Sequence, residues 1–312
     1  MNLATFNAKS DKAVPFITPL GVVVGLALGS RISGYSEWGT FFFACITLIG
    51  ALQISFSQVL KALSRVRSIA LVLFCAHVAI PLVVKLLALL AFPTSPSYIT
   101  GFILLSSIPI AVTSFLWTTI HKGDAALALC LILLDTLLSP LLTPLTIRLL
   151  ANSSVVLDFQ GMMVSLVFMI VLPSILGMLI KHAAPDACNK ARAYLNPVTK
   201  LCMMLVIIIH VASLSGTLSF SAVYIPLILM NLVVITLGFL LIYCLARFVV
   251  HEERSFVVSM TFTGGMRNIS AALVLATSYF DPMTALPVVI GILLQQTFVG
   301  ILGSRLFAKD AW

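Results

Sequence analysis

Thr263-Gly264-Gly265-Met266-Arg267-Asn268 interrupts an apolar stretch long enough to cross a bilayer. Two adjacent glycines weaken a helix at that point. A guanidinium near mid-bilayer costs at least ~2.5–3.5 kcal/mol even on the most lenient insertion scale. The simplest compensation is a broken helix lining a polar cavity that holds an anion.

The composition around this stretch is that of a membrane protein. Of 312 residues, 61% are hydrophobic and 9% charged, against roughly 25% charged residues in soluble domains. A spanning helix takes about 20 residues, so the chain holds ten spans with short loops and no separate soluble domain. Boundaries fall near 14–30, 39–55, 69–92, 98–120, 124–150, 158–181, 195–214, 222–249, 255–279 and 284–306. The polar stretch Met1 to Lys12 lacks the apolar core of a cleavable signal peptide. With ten spans, thirteen of the eighteen basic residues fall on the side that carries both termini. The positive-inside rule makes that side cytoplasmic. The expectation is a multi-pass protein of the cytoplasmic (inner) membrane.

The net charge of +8 thus reports topology, and no basic stripe interleaved with aromatics points to nucleic acid. Six cysteines are scattered without CxxC spacing, five in expected spans and Cys188 in an expected loop. They suggest neither a disulfide framework nor a zinc site. Nucleophilic triads, phosphate-binding glycine loops and carboxylate dyads are missing from the sequence, so an enzyme is not expected. No metal or cofactor and no obligate protein partner is indicated either.

A faint internal repeat accompanies the break. Span 4 carries Ser106-Ser107-Ile108-Pro109-Ile110-Ala111-Val112-Thr113-Ser114 at its middle, as span 9 carries the Gly-Gly-Met-Arg-Asn stretch. Asp124 follows Pro109 by 15 residues and Asp281 follows Gly265 by 16, each placed to cap the next span. Five spans separate the copies, so the halves, about 14–150 and 158–306, insert in opposite orientations. Paired interrupted spans in inverted halves point to a midplane binding site in secondary transporters.

Four ionisable residues lie well inside spans: His77, Asp135, His210 and Arg267. At 1.5 Å per residue, Asp135 sits about 16 Å into span 5, Arg267 about 18 Å into span 9 and His77 about 12 Å into span 3. His210, about 22 Å into span 7, lies nearer the outer face. A lone acid and a lone base at equal depth are expected to pair. The pair either pins two helices or is open to competition by substrate and protons. His77 and His210 read first as hydrogen bonders between helices. Thr113 and Ser114 follow the proline break, where free N–H groups at a helix start suit a carboxylate. Asn268 stands opposite them, and Gln295, Gln296 and Thr297 form a polar island in span 10. The segment Ser139 to Pro144 reads as a structural kink.

These segments resemble the bile acid:sodium symporter family in its ten-span bacterial form. The likeness is clearest from Pro109 to Pro144, including Gly123, Asp124 and Ser139-Pro140-Leu141-Leu142-Thr143-Pro144, and at Gly265-Met266-Arg267-Asn268, where the family usually reads Gly-Met-Gln-Asn. The resemblance implies a panel of helices 1, 2, 6 and 7 against a core of helices 3–5 and 8–10. The broken helices of spans 4 and 9 then cross behind a cavity for an organic anion. It also implies sodium sites, and there the residues depart from the pattern. The matching positions of one site are Ser114, Phe115, Ala128, Ile132 and Thr263; those of the other are His77, Thr263 and Arg267. A hard cation needs oxygen ligands, and a guanidinium repels it.

The expected molecule is therefore an all-α protein of ten transmembrane helices in two inverted five-helix repeats, forming a single unit over 1–312. Its expected function is alternating-access transport of a small organic anion, not coupled to sodium in the usual family way. Substrate contacts are expected at Thr113, Ser114, Arg267, Asn268 and Gln296, and ion or proton coupling at His77, Asp135 and Thr263. Alternative readings are a sodium-dependent organic anion symporter and a cation–proton antiporter. Membrane lipid is the other expected partner.

Overall fold

The computed structural model describes residues 17–55, 65–151, 158–216 and 224–308. The amino-terminal polar stretch and the first residues expected for spans 1 and 8 lie outside them. Among the described residues, twelve helical segments longer than a single 3-10 turn follow one another: α1 (Ile17–Leu28), α2 (Ser36–Ala51), α3 (Val66–Ala91), α4 (Pro96–Ser107), α5 (Ser114–Ile120) and α6 (Ala125–Leu150). Then come α7 (Phe159–Ala183), α8 (Pro185–Ser213), α9 (Tyr224–Val249), α10 (Arg254–Gly265), α11 (Ile269–Tyr279) and α12 (Ala285–Leu306). Among the described residues, six helices are long and apolar enough to cross a membrane. The chain is an all-helical, multi-pass membrane protein.

Helix α8 corrects the expectation for span 7, because it begins at Pro185 rather than near 195. Proline suits the first helical turn, where its missing N–H is not needed. Residues 185–194 are too polar to register as apolar span, yet they are helical, and Cys188 is buried on α8 rather than in a loop. The segment from Ser139 to Pro144 stays inside one continuous α6, with both prolines buried.

The helices sort into two packed sets. α2 runs against α8 and the second half of α7. α1 lies so close to α8 that a Cβ at Gly25 would meet the Ile208 carbonyl oxygen at 2.7 Å. In the other set, α9 packs on α10 and α12, α4 on α3 and α12, and α6 on α4, α5 and α10. Arg254 ties one end of this second set together. Its Nη1 donates to the His121 carbonyl at 3.2 Å, past the end of α5, and its Nη2 to the Phe307 carbonyl at 3.1 Å, past the end of α12.

Both expected breaks are present. α4 ends at Ser107 and Ile108 turns extended, with φ −65° and ψ 152°, the conformation a following proline imposes. α10 ends at Gly265 and Met266 is extended, with φ −102° and ψ 128°. Where the two segments cross they form an antiparallel bridge between Ile110 and Arg267. The Ala111 N–H donates to the Met266 carbonyl at 3.1 Å, and the Asn268 N–H to the Pro109 carbonyl at 2.8 Å. Away from water, every freed backbone group needs such a partner.

Candidate functional site

Side chains supply the remaining partners at the crossing. Asp135 of α6, fully buried, accepts the Ile110 N–H at 2.5 Å through Oδ2. Gln295 of α12 accepts the Arg267 N–H at 3.0 Å and donates to the Arg267 carbonyl at 2.9 Å. Thr143 of α6 donates to the Ser107 carbonyl at 2.9 Å. The crossing is thus held by α6 on one flank and α12 on the other.

Asp135 does not pair with Arg267 as expected. Its Oδ1 lies 2.5 Å from His77 Nε2. His77 sits in a π-turn, Cys75–Ala79, in the middle of α3. Pro81, four residues on, has no N–H for the His77 carbonyl, and Thr146 donates to it instead at 3.1 Å. The Arg267 guanidinium turns back onto the last turn of α10, where Nη2 donates to the Gly264 carbonyl at 3.2 Å. Its Nη1 is buried without a hydrogen-bond partner, and the residue as a whole is 6% exposed. A small void beside Arg267 is lined by Ile80, Ser106, Gly238 and Gln295.

A larger cleft opens between the two helix sets, with a void of about 640 Å³ including its open mouth. Thr18 of α1, Thr47 of α2 and Met203 of α8 line one wall; Thr113, Asn268 and Gln296 line the other, and Arg267 borders it. Gln296 is oriented by both ends of its amide: Nε2 donates to Thr113 Oγ1 at 3.1 Å, and Oε1 accepts Trp117 Nε1–H at 3.1 Å. Asn268 caps α11, its Oδ1 accepting the Ala271 N–H at 3.3 Å.

Ser114 is apart from this group. It is fully buried, does not line the cleft, and its hydroxyl has no partner. The donors expected to be free at the start of α5 are taken, because the N–H groups of Ser114, Phe115 and Leu116 bond the carbonyls of Ala111, Val112 and Thr113 at 3.0–3.2 Å. A tight turn after the break recaptures them. Thr263 donates to the Ser259 carbonyl of its own helix at 2.6 Å. His210 of α8, at Nδ1, bonds Thr277 Oγ1 of α11 at 2.8 Å.

The sequence reading passed over the wall opposite the crossing. Thr18 and Thr47 are single hydroxyls in apolar spans, and only helix rotation brings them to the cleft. Gln295 belongs to the polar island already noted, but its role as the clamp on Arg267 is invisible without the fold.

Comparison with known proteins places the sequence in a family. A sequence model described as "Sodium Bile acid symporter family" matches residues 41–222. YbaS of Bacillus subtilis (strain 168) is 37% identical over 300 residues, covering 94% of this chain and 96% of YbaS. The same organism's YocS, described as a sodium-dependent transporter, is 26% identical over 85% of this chain and 81% of its own length. BASS1 of Arabidopsis thaliana, described as a probable chloroplastic sodium/metabolite cotransporter, is 24% identical over 88% of this chain and 68% of its own. With more than half its length matched by the family model and nearly all of it aligned to a relative above 30% identity, the chain belongs to the sodium bile acid symporter family.

Proposed function

We propose that the protein carries a small organic anion across the cytoplasmic membrane by alternating access, with the Arg267 guanidinium in the place of a co-transported sodium ion. The observation that carries this reading is the position of that guanidinium. It is buried behind the crossing, on a backbone carbonyl, with one nitrogen unpaired. A carbonyl oxygen in such a place is a ligand for a hard cation, and here a side-chain cation takes it. Of the other positions matching sodium ligands in the family, Ser114 alone keeps a hydroxyl without a partner. Phe115, Ala128 and Ile132 offer no oxygen, and Thr263 and His77 are engaged elsewhere.

In this scheme α1 and α2 are spans 1 and 2, α3 is span 3, α4 with α5 is span 4, and α6 is span 5. α7, α8 and α9 follow as spans 6 to 8, α10 with α11 is span 9, and α12 is span 10. Helices 1, 2, 6 and 7 form the panel, the rest the core, and both termini are cytoplasmic. The matched breaks support two inverted halves, each followed by an aspartate: Asp124 accepts the Leu127 N–H at 2.6 Å, and Asp281 the Met283 N–H at 2.9 Å. The substrate sits in the cleft against Thr113, Asn268 and Gln296, with Met203 and Phe43 offering apolar cover. Arg267 acts on it through charge across the crossing, in a medium where an unscreened charge reaches far.

The names of YocS and BASS1 favour a second reading, sodium-coupled symport. Uptake of labelled pantoate and taurocholate into proteoliposomes, with sodium replaced by choline at constant pH, separates the two. Undiminished uptake in choline is expected here. Uptake only with sodium establishes the second reading, and transport of neither probe in either salt defeats both for these anion classes.

A further inference from the structure

Behind the crossing lie three ionisable groups in a row of contacts: His77 on Asp135, Asp135 on the Ile110 N–H, and Ile110 bridged to Arg267. We infer that His77 and Asp135 together form a proton-binding site coupled to the anion in the cleft, which makes the protein a proton–anion symporter. The inference rests on the proposed transport function and names its co-substrate.

The hydrogen-bond arrangement defines where the proton goes. The two contacts of Asp135 fit a carboxylate, with Oδ2 accepting the Ile110 N–H and Oδ1 accepting from a His77 Nε2–H. His77 Nδ1 is left as a bare acceptor, and it is buried without a partner. A proton entering the site adds to Nδ1 and converts the pair to imidazolium and carboxylate. Leaving, it departs from the same nitrogen, and the Nε2–H bond to Asp135 persists throughout. Histidine is the side chain suited to such loading between about pH 5 and 8.

The neighbours leave these charges in control. On its own helix His77 has Cys75 within the same turn and Lys85 two turns on. α4 brings only Tyr98, near its start; α6 brings Cys130, Asp135 and Arg148; α10 brings Arg254 at its first residue. Arg67 and Lys85 are about 15 and 12 Å away along α3, and Tyr98, Arg148 and Arg254 are at helix ends, which leaves Asp135, Arg267 and the Cys75 and Cys130 thiols nearest the ring. With His77 neutral, Asp135 and Arg267 sum to zero. With His77 protonated, the cluster carries one positive charge behind the cleft. An anion therefore binds the protonated form better, and by reciprocity a bound anion raises proton affinity. One proton then moves with each monovalent anion, so the coupled step transfers no net charge.

Two measurements test this. The first needs no substrate: ¹⁵N-histidine NMR of the purified protein between about pH 5 and 8. One imidazole signal, missing in H77Q, is expected to pass from neutral to imidazolium on acidification, and to stay neutral in D135N. In D135N the amide preserves both bonds, its oxygen accepting from Ile110 and its nitrogen donating to His77. A His77 signal fixed in one form throughout, or titrating alike in D135N, overturns the inference. The second is sodium-free uptake of labelled pantoate and taurocholate with the outside acidified. Wild-type vesicles should concentrate the transported probe by on the order of tenfold, while the accumulation by D135N is the same with and without the gradient. Wild-type accumulation indifferent to the gradient also overturns it. Counterflow exchange at equal pH reports on the transport function alone, so loss of exchange in the wild type counts against that function rather than against the proton site.

Discussion

Gln295 holds the peptide of Arg267 at two points, accepting its N–H at 3.0 Å and donating to its carbonyl at 2.9 Å. The crossing segment from α10 to α11 therefore has a strand-like partner on each edge: Ile110 by backbone and Gln295 by side chain. Replacing Gln295 with Leu leaves a buried N–H without an acceptor, at a cost of about 1–3 kcal/mol. Thermal unfolding of the purified variant should show that loss, with Q295E, which retains the acceptor, falling between the two. Equal stability of Q295L and the wild type would remove Gln295 from the support of the crossing.

α9 approaches the end of α10 closely. A Cβ on Gly265 would stand 2.6 Å from the Phe239 ring, which is itself fully buried. Because the obstacle is an aromatic ring fixed in the core, G265A is expected to lose about 1–3 kcal/mol of stability. Pairing it with F239L, which opens that space, should recover part of the loss, and a double-mutant cycle gives the coupling.

Two contacts tie α11 to α7 and α8. Tyr279 of α11 donates to the Gly161 carbonyl of α7 at 2.8 Å and bonds the Ser165 hydroxyl, while His210 bonds Thr277. Under the proposed alternating access, these bonds break when α11 parts from α7 and α8. Y279F removes its two bonds, about 1 kcal/mol each, so amide hydrogen exchange around residues 276–281 should accelerate by at least about fivefold. Unchanged exchange would mean that the contacts do not latch α11 to α7.

Beyond the end of α5, His121 packs against both Trp117 and Phe262, with ring centroids 6.4 and 5.1 Å away. Burial, reinforced by the nearby Arg254 charge, lowers its pKa from the usual 6.5. A depressed folded-state value means the unfolded chain binds the proton more readily. The contribution of neutral His121 is therefore complete above about pH 6.5 and fades as the pH falls toward the folded value. The melting temperature of wild type minus that of H121Q should decline on acidification through that window. A difference that is flat or rises on acidification contradicts the assignment.

Much of this architecture could be read from the chain because its breaks are chemical. Pro109 removes a donor and Gly264-Gly265 weakens a helix, and the helix rise sets the common depth of His77, Asp135 and Arg267. What could not be read was rotation about each helix axis. Equal depth suggested that Asp135 would meet Arg267, yet the α3 π-turn presents His77 to it, and the carboxylate is also needed by the Ile110 N–H that the break sets free. The start of α5 misled for a similar reason, since a turn can recapture the donors a proline exposes. Residues 185–194 were missed as helix because hydropathy registers burial in lipid and not the polar helical turns that precede it.

The account turns on Arg267 as a fixed cation behind the crossing, and R267Q in sodium-free proteoliposomes tests it most directly. Wild type should take up labelled pantoate or taurocholate in choline medium, and R267Q should do so at least about tenfold less, with the folded protein confirmed by its melting curve. Uptake by R267Q equal to wild type in choline would show that the guanidinium does not take the part assigned to it.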